Sequence, residues 1–113
     1  MDKVLILARE DIVAALLGLM VETHGLDPRF PSRGERVEDA LSRDRFRKVL
    51  IDCDYPECNE ELLEAVRTAG AQPIFFSPLG MSSQQQEVAS RFGASAFTLP
   101  TDPHEFGRIL LQS

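Results

Sequence analysis

Tryptophan is absent from this chain, tyrosine occurs once, and there are only two cysteines. Cys53 and Cys58 are separated by four residues, which is neither a CxxC redox pair nor half of a four-cysteine zinc site, so both read as reduced thiols. Basic residues are the minority. Twelve Lys and Arg stand against eighteen Asp and Glu, giving a net charge of −6. That balance repels phosphate backbones and anionic lipid, which argues against nucleic-acid and membrane-surface partners. No apolar run approaches the roughly 20 residues of a membrane span. An acid at position 2, Met1-Asp2-Lys3-Val4, does not suit a signal peptide, and the expected location is the cytoplasm. Repeats and low-complexity tracts are also missing. The turn after the first apolar run, Ala8-Arg9-Glu10-Asp11, has no glycine with which to cradle a phosphate.

What is present is ordinary globular chemistry: 43% hydrophobic residues in 113, enough for one domain over residues 1–113 with a core of its own. The organising stretch is Val49-Leu50-Ile51-Asp52-Cys53-Asp54-Tyr55-Pro56. An unbroken apolar run reads as a strand buried on both faces, between helices. Asp52 then ends that strand at its carboxyl edge, where open α/β sheets place their chemistry. Lys3-Val4-Leu5-Ile6-Leu7-Ala8 is a second such strand.

Helical signals alternate with the strands. Ile12, Leu16 and Met20, with Val13, Leu17 and Val21, make a broad apolar face on a helix capped by Asp11 and ended by Gly25. Leu26 to Pro31 carries two prolines and predicts a short strand at a sheet edge. Val37, Ala40 and Leu41 mark a short helix over 35–41, and Ser42 to Lys48 reads as a solvated connection anchored by Phe46. Asn59 caps a helix whose buried side is Leu62, Leu63, Val66 and Ala69. Pro73 to Ser77 is a fourth strand, Ser83 to Phe92 a polar helix facing inward through Val88, Ala89 and Phe92, and Ala94 to Leu99 a fifth strand. Asp102, Pro103 and Glu105 open the last helix as cap, first helical position and acidic capping-box partner, with Phe106, Ile109 and Leu110 as its apolar face. His24 and His104 have no neighbouring ligand set and read as surface residues. The fold class is α/β, a doubly wound five-stranded parallel sheet, (βα)5, with order 2-1-3-4-5 because a proline-bounded second strand suits an edge. Asp52, Ser77 and His104 do not form a hydrolase triad, for no nucleophile elbow or oxyanion-hole sequence accompanies them.

This layout resembles the response-regulator receiver domain over essentially the whole chain. Asp52 with Pro56 matches the phosphoacceptor and the proline after it, and Pro73 to Ser77 resembles the fourth strand ending in a switch Ser/Thr. Phe92-Gly93-Ala94 is similar to the turn before strand five, Phe97 falls at the switch aromatic, and Leu99-Pro100 with Asp102-Pro103 resembles the Lys-Pro turn and the final helix start. Three positions depart. The acidic pair that holds Mg²⁺ is replaced by Ala8 and Arg9, and the lysine before the strand-five proline is Leu99. Strand five is one residue short between Gly93 and Pro100. Phosphoryl transfer to a carboxylate gathers negative charge that a metal and an ammonium must neutralise, and Mg²⁺ requires hard oxygen ligands. Asp52 is then expected to be a residual strand-end carboxylate, either paired with a fixed positive charge from Arg9 or capping nearby amides.

The resemblance therefore implies a degenerate receiver, CheY-like in fold, without enzymatic activity or cofactor. It acts through a protein partner in bacterial signalling, with a second copy of the chain as one candidate. In receivers strand five and the last two helices commonly supply the partner face. The competing reading is an atypical receiver that accepts phosphate at Asp52, with Mg²⁺ rescued by Glu10, Asp11 and Asp54 (Glu57 being a further neighbouring acid). A third is a small flavodoxin-like domain holding a ligand at the same strand ends.

Overall fold

The computed structural model describes residues 2–55, 59–78, 80, 82–91, 93–99 and 102–111. Strands and helices alternate: β1 (Lys3–Leu7), α1 (Asp11–Thr23), β2 (Asp27–Arg29), α2 (Val37–Arg43), β3 (Phe46–Asp52), α3 (Glu60–Thr68), β4 (Gln72–Ser77), α4 (Ser83–Arg91), β5 (Ser95–Thr98) and α5 (Pro103–Leu111). The five strands form one parallel sheet in the order β2-β1-β3-β4-β5. The short, proline-containing β2 is at one edge, as its sequence required.

Alternation along each strand separates two cores. Leu5, Leu7, Val49, Ile51 and Phe75 face Val37, Ala40 and Leu41 of α2, Leu62, Leu63 and Val66 of α3, and Ala89 of α4. Val4, Ile6, Leu50, Ile74, Phe76 and Phe97 face Leu17 and Val21 of α1 and Phe106, Ile109 and Leu110 of α5. Both faces of β1 and β3 are thus covered, and their near-continuous apolar sequences follow from that.

Asn59 caps α3 through its side-chain oxygen, which accepts from the Leu62 amide at 2.9 Å. Gly70, at φ +81°, takes the left-handed turn just beyond the helix.

Several expectations are corrected. The connection over Ser42–Lys48 is not solvated throughout, because β3 begins at Phe46. A register shift opposite Lys3 and Val4 lets Arg47 bulge outward to Asp2 (2.7 Å), while Lys48 turns inward, 1% exposed, and bonds Gln72. Burial, and then the neighbouring Arg47, holds the Lys48 ammonium below its ordinary pKa of 10.5. Helix α1 is capped at Glu10 rather than Asp11, with no side-chain bond to the helix amides. Its face is also narrower than expected: Leu17 and Val21 are buried, whereas Ile12 and Leu16 are exposed. Ala69 is exposed. Glu105 bonds Arg108 (3.1 Å) instead of closing a capping box, although Asp102 does accept from the His104 amide at 3.3 Å. His24 is half-buried, its ring 5.7 Å from that of Phe106 and against Gly107. The expectations for Pro56, Glu57, Cys58, Phe92 and Pro100 lie outside the described residues.

Candidate functional site

Parallel strands aim their carboxyl ends at one edge of the sheet, and β3 delivers Asp52 there. Its side chain is 3% exposed. One carboxylate oxygen, Oδ1, accepts from the Asp54 amide at 3.0 Å, and the other, Oδ2, accepts from the Arg9 amide at 3.3 Å. The first contact is an Asx-type turn, in which an aspartate bonds the backbone two residues on. The second ties the end of β3 to the β1–α1 junction. A buried carboxylate must find donors, and here the chain itself supplies them.

Arg9 therefore meets Asp52 through its backbone amide. Its side chain is exposed, and no ion pair involving Asp52 forms among the described residues. Ala8 is half-buried and packs on the core shared by α1 and α5. Leu99 does the same, while its amide donates to the Ser77 carbonyl at 3.2 Å and extends the β4–β5 ladder. Leu99 thus sets an apolar side chain just beyond the end of β5.

Ser77 is 1% exposed, and its hydroxyl donates to the Gly80 carbonyl at 2.8 Å. Phe97 is 6% exposed. It stacks on Phe76 with ring centroids 5.8 Å apart and meets Phe106 edge-on at 5.3 Å, which locks it into the core. Asp54 is exposed, and its Oδ1 accepts from Gln85 Nε2 at 3.3 Å. Gln85 in turn forms a capping box with Ser82, so the start of α4 is linked to the loop after β3. Glu10 and Asp11 are exposed at the start of α1.

Mg²⁺ requires several oxygen ligands at strict octahedral geometry. Among the described residues no group of three or more His, Cys, Asp or Glu is positioned to hold a metal ion. Asp52 brings a single carboxylate whose two oxygens already have amide donors, and the residues that β1 sets beside it are Ala8 and Arg9. Among the described residues the donor set does not fit the metal. A cavity of about 460 Å³ opens to one side, lined among others by Ala8, Asp11, Pro31, Ser32, Glu35 and Tyr55, and Asp52 does not line it.

The expectation that Asp52 could cap nearby amides did not say which; they are the amide of the Asx turn and that of Arg9. An Asp-x-Asp at the end of a strand is a signal for the first, whereas nothing local announces the second, which joins residues 43 apart.

No family model matches the chain, and none of the curated proteins matches it in sequence. Solved structures do match in shape. The chemotaxis protein CheY4 of Vibrio cholerae superposes with a TM-score of 0.78 at 17% identity, over 97% of this chain and 96% of that one. A response regulator from Thermotoga maritima gives 0.79 at 13% identity, over 97% and 94%. The receiver domain of the sensor histidine kinase PA1611 from Pseudomonas aeruginosa, solved with magnesium coordinated in its active-site cleft, gives 0.76 at 16% identity, over 96% and 93%. With its strand order and its alternating helices, this chain has the CheY-like receiver fold.

Proposed function

We propose that the chain is a pseudo-receiver, a protein–protein interaction module of bacterial signal transduction that works in the cytoplasm without phosphorylation. The observation that carries this reading is the state of Asp52. Both of its oxygens accept backbone amides, and Ala8, Arg9 and Leu99 stand where a phosphorylatable receiver needs two acids and a lysine. A phosphoryl group on Asp52 would meet neither metal nor ammonium to offset its charge. Ser77 is turned to Gly80, and Phe97 is held between two other aromatic rings, so the two positions at which receivers switch are committed to internal contacts. A domain of this kind acts by offering a fixed surface.

The test is incubation with acetyl phosphate and Mg²⁺, followed by intact-mass measurement. The expected result is an unchanged mass. A stable phosphoryl adduct that disappears in Asp52→Asn would establish the competing reading, an atypical receiver with Asp52 as phosphoacceptor.

A further inference from the structure

The β2–α2 connection is built as a wall. Its turn over residues 32–35 is closed twice: the Glu35 amide donates to the Ser32 carbonyl at 2.9 Å, and Glu35 Oε1 accepts from the Ser32 amide at 2.8 Å. Arg43 reaches across from α2 and fastens it further. Its guanidinium donates to the Phe30 carbonyl and to the Ser32 hydroxyl, each at 3.3 Å, and pairs with Glu35 at 3.4 Å. Phe30 in turn lies over α1 at Gly18, where a Cβ would come 3.0 Å from the end of the ring. Glycine is a poor helix former, and here its missing side chain makes room for that aromatic ring. The wall is therefore held in place by contacts on both sides, before anything binds behind it.

Between this wall and α1 lies the cavity of about 460 Å³, at the carboxyl end of β1, the edge at which open α/β sheets hold ligands. Its volume is that of a small-molecule site. Ala14 and Ala15 line it from α1 with side chains too short to fill it, and Phe30 and Tyr55 line it with aromatic rings. Charge selects the occupant. Asp11 and Glu35 line the cavity, and no Lys, Arg or His does so among the described residues. Glu35 is offset by Arg43, whereas Asp11 is exposed and forms no ion pair among the described residues. An apolar pocket with one uncompensated carboxylate complements a ring that carries an ammonium, and aromatic walls add their own attraction for a cation. A carboxylate of the same shape would be repelled by Asp11.

We infer that the cavity between α1 and the β2–α2 connection binds a small organic cation, its flat apolar ring against Phe30 and Tyr55 and its ammonium on Asp11. Such a site is independent of the interaction-module reading, since Asp52 does not line the cavity. The test uses the full chain and two probes of matched shape, phenylethylamine and phenylpropionate. Tyr55 is the only tyrosine and there is no tryptophan, so intrinsic emission reports from the cavity wall alone. ¹H–¹⁵N spectra follow the amides of Ala14, Ala15, Ser32 and Gly34, which also line it. The amine is expected to shift these amides and the emission saturably, and to bind on the order of tenfold tighter than the carboxylate. Asp11→Asn removes that preference, and Phe30→Ala weakens both probes, each without loss of helical circular dichroism. Equal or tighter binding of the carboxylate, saturation by neither probe at millimolar concentration, or an amine preference that survives Asp11→Asn would overturn the inference. Unchanged affinity in Phe30→Ala would do the same. Phosphorylation of Asp52 in the mass assay would overturn the proposed function alone, because the probe titrations contain no phosphoryl donor.

Discussion

Replacing Asp52 by alanine changes stability with a sign that separates a structural carboxylate from a member of an acidic metal cluster. In such a cluster the neighbouring carboxylates repel one another, and removing one without its metal stabilises the fold. Here Asp52 belongs to no cluster of three or more potential metal ligands among the described residues, and its two oxygens accept the Asp54 amide at 3.0 Å and the Arg9 amide at 3.3 Å. A hydrogen bond to a charged group contributes about 1.5–3 kcal/mol, less when it is long, and the relieved desolvation of the carboxylate returns part of that. Asp52→Ala is therefore expected to destabilise by about 1–3 kcal/mol, a measurable part of the roughly 5–15 kcal/mol that holds a domain together. Asp52→Asn keeps one acceptor oxygen but turns a donor toward the other amide, so it falls between the two. Equilibrium urea denaturation with an unchanged m-value reads the order wild type, Asn, Ala. An alanine variant as stable as the wild type, or more so, would refute the reasoning.

Three further expectations follow from local contacts. Asn59→Ala removes the side-chain acceptor of the Leu62 amide and is expected to cost about 1 kcal/mol in urea unfolding. Gly107→Ala would gain about 1 kcal/mol of helix propensity, but its Cβ would sit 2.5 Å from His24 Nε2. The His24 ring cannot step aside freely, since its Nδ1 bonds the Met20 carbonyl at 2.8 Å, so the variant is expected to lose about 1–2 kcal/mol net and to become stabilising in a His24→Ala background. Lys48 gives up its proton at lower pH when folded than its ordinary 10.5, so between those values the unfolded chain holds more protons and stability rises with pH. Thermal melts from neutral pH to 10.5 are expected to show that rise in the wild type and not in Lys48→Met.

The sheet was legible because its central strands are apolar without interruption. Val4 to Leu7 and Val49 to Ile51 are each fully buried, and burial on both faces leaves no polar alternation to confuse the reading. The edge position of β2 followed from its prolines, and the start of α3 followed from Asn59. The start of β3 was hidden by charge. Arg47 and Lys48 read as solvated, yet a bulge sends one to Asp2 and the other inward to Gln72, a pairing between strands that no local pattern reveals. On α1 the periodicity was sound but ambiguous, because apolar residues cover nearly the whole circumference and sequence cannot say which stripe meets the sheet. The candidate site divides in the same way. The position of Asp52 at a strand end was readable from residues 49–52, whereas its donors were not: one comes from an Asx turn and the other from the backbone of Arg9, whose side chain had suggested an ion pair.

On the proposed reading, Asp52 takes no phosphoryl group because neither a metal-binding acid pair nor an ammonium stands beside it to offset the charge. Amide resonances of Arg9 and Asp54, followed in ¹H–¹⁵N spectra while Mg²⁺ and beryllofluoride are added, test it most directly. Both resonances are expected to stay where they are at saturating concentrations. A saturable shift of the two amides that Asp52→Asn removes would contradict it.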